Sequence, residues 1–178
     1  MKHLIITQIF LVSLLSALPF KTISQVISKS EHGFTIQIKQ EANVDSKTAY
    51  QQFLKVNEWW NAEHTYFGKS ENLFIEAKAN GCFCEVEGDK QVLHMIVSYV
   101  EPNKEIKMIG GLGPLQMMGV NGGMSWKFID LGNNKSKVIH HYQVSGAIDG
   151  GLDKIAPFVD QVQTIQVSAL INKLSLKK

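Results

Sequence analysis

Residues 153–174 read DKIAPFVDQVQTIQVSALINKL. At about 100° per residue, Ile155, Phe158, Val159, Val162, Ile165, Ala169 and Leu170 fall on one broad stripe, which predicts a helix from about Asp153 to Leu174. Pro157 lies in the first turn, where a missing N–H is tolerated. Gln166 interrupts the stripe at the angle of Ile155 and Val162. Either its amide meets a backbone group, a water or a ligand, or it sits at the margin of the stripe. A long helix with one apolar face requires a surface to bury it, and a curled sheet supplies one.

The preceding chain provides that sheet. Strand-like runs recur at Leu73–Lys78, Cys82–Glu87, Gln91–Val100, Glu105–Gly110, Met118–Leu131 and Lys135–Ser145, separated by turn residues at Asn80, Gly88, Glu101 and Asp130. Upstream, GFTIQIKQE (33–41) alternates Phe34, Ile36 and Ile38 with Thr35, Gln37 and Lys39, the period of a half-buried strand. Asp45 or Ser46 can cap a helix through KTAYQQFLKV, and the aromatic segment EWWNAEHTYFG (58–68) follows. The expectation is an α+β fold: about seven antiparallel strands curved around the C-terminal helix, with two short helices after the first strand.

Residues 1–24 have a short basic start at Lys2 and His3, an apolar run from Leu4 to Leu18, then Pro19 and small residues. That is the layout of a secretory signal peptide, too short for a spanning helix, with cleavage after Ala17 or Ser24. The expectation is a periplasmic or secreted domain over 25–178, with no membrane insertion after cleavage. All 18 basic residues are lysine, and removing Lys2 and Lys21 leaves 16 against 16 acidic residues. A neutral chain without arginine lacks the basic face that nucleic acid or an anionic membrane requires.

The order of elements resembles the helix-grip fold of the START-like, SRPBCC superfamily. The segments WWNAEHTYFG, ANGCFCE, LHMIVSYVEPNKEIKMIGGLGPLQMMGV and VSGAIDGG…VDQVQ resemble its bacterial polyketide cyclase-like and chaperone-ATPase-activator-like branch, whose members carry aromatic-HTY-G, GG-F-E and GLGPLQ segments. Asn80–Gly81 stands where branch members often have paired glycines. The resemblance spans about Gly33 to Leu174. It implies a deep cavity between sheet and helix for a hydrophobic small molecule (lipid, polyketide or aromatic), and it implies no single reaction.

Candidate chemistry begins with NGCFCEVEGDKQVLHMIV (80–97). Residues i and i+2 of a regular strand lie about 6.5 Å apart, near the upper limit for a disulfide. Cys82 and Cys84 therefore read as small packing thiols, with a metal site or a redox pair as alternatives; in one register Cys84 faces His94. Phe83 and Glu85 share a face, expected to meet the apolar face of Leu93, Met95, Val97 and Tyr99. Glu85 then looks into the cavity, where it could act as acid or base; in a shifted register it faces water. His140 and Tyr142 share the inward parity of their strand, and His64 sits with Trp59, Trp60 and Tyr66 near the expected entrance. The segment 108–126, rich in glycine and methionine, includes Met117, Met118 and Trp126. It reads as a lip and wall for a guest or as a loop packed on the core. Its GxGxxG-like spacing is followed by no strand–helix crossover, so no dinucleotide cofactor is implied.

The ligand-binding set read from sequence is therefore Trp59, Trp60, His64, Tyr66, Phe83, Glu85, Met95, Met117, Met118, Trp126, His140, Tyr142 and Gln166, with no metal, cofactor or assigned catalytic residue. The leading function is an exported carrier or sensor. The alternative is a cyclase, dehydratase or isomerase using Glu85 with His94 or His140; an adaptor of the chaperone-activator kind loses its partner on export.

Overall fold

The structure is a computed structural model that describes residues 23–176. The leader assigned to 1–24 lies outside the described residues apart from its last two. Eight strands form one antiparallel sheet: β1 (Ile23–Ser30), β2 (Gly33–Ala42), β3 (Leu73–Ile75), β4 (Cys82–Glu87), β5 (Lys90–Glu101), β6 (Glu105–Ile109), β7 (Asn121–Gly132) and β8 (Lys135–Ser145), in the order β1-β2-β8-β7-β6-β5-β4-β3. Helix α1 (Ser46–Leu54) follows β2, single 3-10 turns at Val56–Glu58, Ala62–His64 and Ser70–Asn72 carry the aromatic segment, and α2 (Leu152–Ser175) closes the chain. The sheet is thus one strand larger than the expected seven. β1 was hidden at the sequence level because it overlaps the end of the apolar leader.

Ser24 is already part of β1. It pairs with Ile38, donates to Asp160 Oδ1 of α2 at 2.6 Å, and accepts from Thr164 Oγ1 at 3.0 Å. Residues 23 and 24, the last two of the segment read as leader, thus contribute to β1.

Alternation decides which side of the sheet is filled. Phe34, Ile36 and Ile38 of β2, Met124, Trp126 and Phe128 of β7, and Val138, Tyr142 and Val144 of β8 are all buried. Asp45 caps α1 by accepting the Thr48 N–H, and Tyr50 and Phe53 drop from α1 onto β7, with the Phe53 ring 4.9 Å from that of Trp126.

Helix α2 packs on β1, β2 and α1, and it carries two apolar faces rather than one. Leu152, Ala156, Val167, Leu170, Ile171 and Leu174 are buried in the core. Ile155, Val159 and Val162 are only half-buried, and Phe158 is 68 % exposed. The stripe read from sequence mixes these faces, because periodicity reports apolar residues without saying whether they meet side chains or empty space.

Two bulges rewrite the parity of β5. Phe83 pairs with Met95 but Cys84 pairs with Leu93, leaving His94 as the extra residue; a second shift follows Val97. His94 and Met95 consequently both point inward, while Leu93 and Tyr99 lie at the surface. The expected apolar face of Leu93 and Tyr99 and the pairing of Cys84 with His94 are corrected accordingly. The cysteines are corrected too. β4 is pinched where its register with β5 shifts, so Cys82 and Cys84 have Cα atoms 5.4 Å apart and form a disulfide.

Candidate functional site

A cavity of about 1010 Å³ remains beneath the inner side of α2. Its walls are Ile155, Phe158, Val159, Val162 and Gln163 of α2, residues 63–66 with Trp60, the loop Leu112–Leu115 with Met117 and Met118, His94 of β5 and Tyr142 of β8. The volume lies at the upper end of ordinary small-molecule pockets. Met117 and Phe158, 88 % and 68 % exposed, stand at its rim.

Glu85 is fully buried and organises the floor. Its Oε2 accepts the Tyr66 N–H at 2.9 Å, its Oε1 accepts the Phe67 N–H at 2.7 Å, and Oε2 also meets His94 Nε2 at 3.2 Å. The carboxylate thus stitches the aromatic loop to the sheet and stands behind His94 rather than on the cavity wall. A carboxylate can only accept, so Nε2 of His94 carries the hydrogen and Nδ1 is left with a lone pair. Nδ1 is buried and has no partner among the described residues. Burial holds the His94 pKa below its ordinary value, against the opposing pull of the Glu85 charge and hydrogen bond. The imidazole is therefore neutral at pH 7, sandwiched between Phe83 and Tyr66 at ring separations of 4.8 and 5.8 Å.

A second chain of hydrogen bonds fixes His64. The Asn61 N–H donates to Gln166 Oε1 at 3.0 Å, which sets the amide so that Gln166 Nε2 donates to His64 Nδ1 at 2.7 Å. His64 therefore carries its hydrogen on Nε2. Gln166, for its part, is used up in holding the loop. Trp60 Nε1 donates to the His64 carbonyl at 3.0 Å and completes the same turn.

The opposite lip is tied down as firmly. Gln116 Nε2 donates to the carbonyls of Leu93 and His94 at 2.6 and 2.8 Å, the groups that the bulge frees from the ladder. Tyr142 Oη accepts the Leu112 N–H at 3.0 Å; burial raises its pKa to about 12, the Leu112 bond opposing, so the phenol stays protonated. Gly122 makes room for that ring, since a Cβ there would come within 2.7 Å of Tyr142.

The residues singled out from sequence divide by position. Trp60, His64, Tyr66, Met117, Met118 and Tyr142 line the cavity. Glu85 and Phe83 lie directly behind His94, and Gln166 behind His64. Trp59, Trp126, Met95 and His140 belong to the core: Trp59 Nε1 donates to the Phe53 carbonyl, and His140 stacks on Trp126 at 4.3 Å. These indoles are consumed by packing against α1 and cannot reach the void. His140 is fully buried, and burial pushes its pKa down to about 3 against the weaker opposing contacts of the Gln163 side chain and the Ser125 backbone. Wall residues outside that set include His94, Gln163 and the α2 residues Ile155, Phe158, Val159 and Val162. The α2 stripe read from sequence already contained all of these last four, whereas nothing in the strand period could anticipate His94 turning inward at a bulge.

No family profile and no curated protein matches the chain. Solved structures do. Ara h 8.0201 superposes with a TM-score of 0.56 at 12 % identity, over 82 % of this chain and 99 % of that one. The fold is a helix grip. CalU16 from Micromonospora echinospora gives a TM-score of 0.53 at 10 % identity, over 86 % and 83 % of the two chains. The di-domain ARO/CYC BexL of the BE-7585A biosynthetic pathway gives 0.56 at 14 % identity, over 80 % of this chain and 46 % of that one. At such identities the likeness concerns the fold alone.

Proposed function

We propose that this chain is an exported small-molecule-binding protein, a carrier or sensor, that holds a hydrophobic ligand between the sheet and α2. The observation that carries the reading is the cavity of about 1010 Å³ walled by Ile155, Val159, Val162, Trp60 and Leu115, a volume that packed helices do not leave by default. Export rests on the N-terminal leader, here cleaved at the earlier site after Ala17, and accords with the Cys82–Cys84 disulfide, since such bonds persist in oxidising compartments. The test is to express the full chain, isolate the processed protein from the periplasm, extract it with organic solvent and analyse the extract by mass spectrometry. A stoichiometric apolar compound is the expected result. Protein retained in the cytoplasm, or an empty extract from protein that also takes up no apolar probe, overturns it.

A second reading is favoured by one specific contact, Glu85 to His94 at 3.2 Å with Nδ1 of His94 unpartnered. In it the dyad abstracts a proton from a bound polyketide-like or other carbonyl compound: Nδ1 takes the proton from carbon, the electron pair moves into the carbonyl, and Glu85 stabilises the imidazolium formed. Solvent deuterium would then enter a bound ketone at the carbon beside its carbonyl, and His94→Phe would stop it. No exchange above the uncatalysed rate removes this reading and leaves the carrier intact.

A further inference from the structure

The outer face of the sheet, away from the cavity, is divided in character. Over β2, β7 and β8 it carries mainly polar side chains, among them Gln37, Lys39, Ser125, Lys127 and His141, as expected where an antiparallel sheet meets water. Over β3 to β6 it is apolar: Phe74, Leu93, Ile96 and Ile109 are each between 38 and 51 % exposed. Cross-strand pairing joins them into one patch. Cys84 stands between Phe74 of β3 and Leu93 of β5, and Ile96 stands between Cys82 of β4 and Ile109 of β6. Exposed apolar side chains gathered in this way mark contact with another molecule.

The Cys82–Cys84 disulfide lies within that patch. Phe83 and Glu85 are buried on the inner side, so both cysteines point outward, and both are half-buried rather than enclosed. The stabilisation that a disulfide gives by constraining the unfolded chain grows with the loop it closes. This one closes over Phe83 alone, so it has little to contribute as a staple. Exchange chemistry needs what the patch offers: a sulfur that an incoming thiolate can reach, and an apolar surface on which the residues flanking that thiolate can rest.

We propose that Cys82–Cys84 is a thiol–disulfide exchange site whose substrate is a dithiol protein docking on Phe74, Leu93, Ile96 and Ile109. A thiolate of the partner attacks one sulfur of the pair; a mixed disulfide forms, the Cys82–Cys84 bond breaks, and the leaving sulfur takes a proton. The partner's second thiol, giving up its proton, attacks the mixed disulfide and frees the other cysteine as a thiol. Two electrons and two protons pass from the partner, which departs as a disulfide. The site lies on the opposite side of the sheet from the cavity and does not depend on what the cavity holds.

The test exposes the oxidised, processed protein to reduced thioredoxin, as the protein dithiol, and separately to dithiothreitol, with free thiols alkylated and counted by intact mass over time. Both reductants are expected to open the bond. In Phe74→Gln combined with Ile96→Gln, uncharged changes beside each cysteine, the rate with thioredoxin is expected to fall at least about fivefold while the rate with dithiothreitol is unchanged. Thioredoxin with its second active-site cysteine replaced by serine is expected to remain joined to the wild-type chain as a mixed disulfide. A bond that dithiothreitol opens and thioredoxin does not, or that neither opens, overturns the proposal. Equal rates for wild type and variant with thioredoxin overturn the docking surface, as does equal slowing with both reductants. Should the variant not fold by circular dichroism, the mixed-disulfide trap on the wild type decides, and its failure to form overturns the site.

Discussion

Replacing Glu85 with alanine removes the acceptor of three N–H groups at once. Those donors are the Tyr66 and Phe67 amides at 2.9 and 2.7 Å and His94 Nε2 at 3.2 Å. A hydrogen bond to a charged group contributes about 1.5–3 kcal/mol, but the two amides belong to a loop whose neighbours are half-exposed and can take water once released. The imidazole N–H cannot, because His94 is buried at 4 % exposure. Full loss at His94 with partial loss at the amides gives about 3–4 kcal/mol, below the sum of three independent bonds. Glu85→Gln is the informative comparison: its one oxygen, in the place of Oε2, can still accept from Tyr66 and His94, while its NH₂ group confronts the Phe67 N–H and the charge is gone, so part of the loss should persist in a side chain of the same shape. Urea unfolding followed by tryptophan fluorescence measures the change, and hydrogen exchange reads Tyr66 and Phe67 individually. A loss below about 1 kcal/mol for Glu85→Ala, with unchanged protection of both amides, would refute the view that this carboxylate holds the loop to the sheet.

His140 makes stability sensitive to acid. Its pKa falls from 6.5 to about 3 on folding, chiefly by burial, so the unfolded chain takes up a proton that the folded chain refuses. Stability is complete above about pH 6.5 and is lost progressively as pH falls toward 3; near pH 4.5 the loss from this group is about 2–3 kcal/mol. His140→Phe should flatten that slope by about one proton in denaturation curves collected between pH 7 and 4.5. The Cys82–Cys84 bond is expected to leave no titratable thiol in the denatured, unreduced protein and two after reduction, measured by a colorimetric thiol reagent. The N-terminus of processed protein is expected at or before Ile23, since β1 and the Ser24–Asp160 bond require it, and intact-mass measurement decides this.

The sequence made much of this legible where one residue equals one step of a regular period. Phe34, Ile36 and Ile38 declared β2, the parity of His140 and Tyr142 turned both inward, and α2 was plain from its apolar spacing. What stayed hidden arises where the period breaks. The bulge at His94 turns two consecutive side chains inward, a β-bulge adds a residue without leaving a composition signal, and the pinch in β4 brings two cysteines within bonding distance. Gln166 illustrates a different limit. Its place on the helix was readable, but its partners Asn61 and His64 lie more than a hundred positions away, and only the folded chain brings them together. The mixed stripe of α2 marks the functional boundary: Leu170 and Val159 are equally apolar, yet one meets core and the other meets space.

That space is best interrogated by filling it. Val159→Trp combined with Val162→Trp projects two indoles from α2 into the cavity while leaving Glu85, His94 and the loop that they hold unsubstituted. The measurement is titration of a fluorescent apolar probe, N-phenyl-1-naphthylamine, into wild-type and doubly substituted protein, with circular dichroism showing that both are folded. One-to-one binding to the wild type and a loss of at least tenfold in affinity on filling are the expected results. Undiminished binding by the filled protein, or none by the wild type, would contradict the claim that an oily guest occupies the hollow beneath α2.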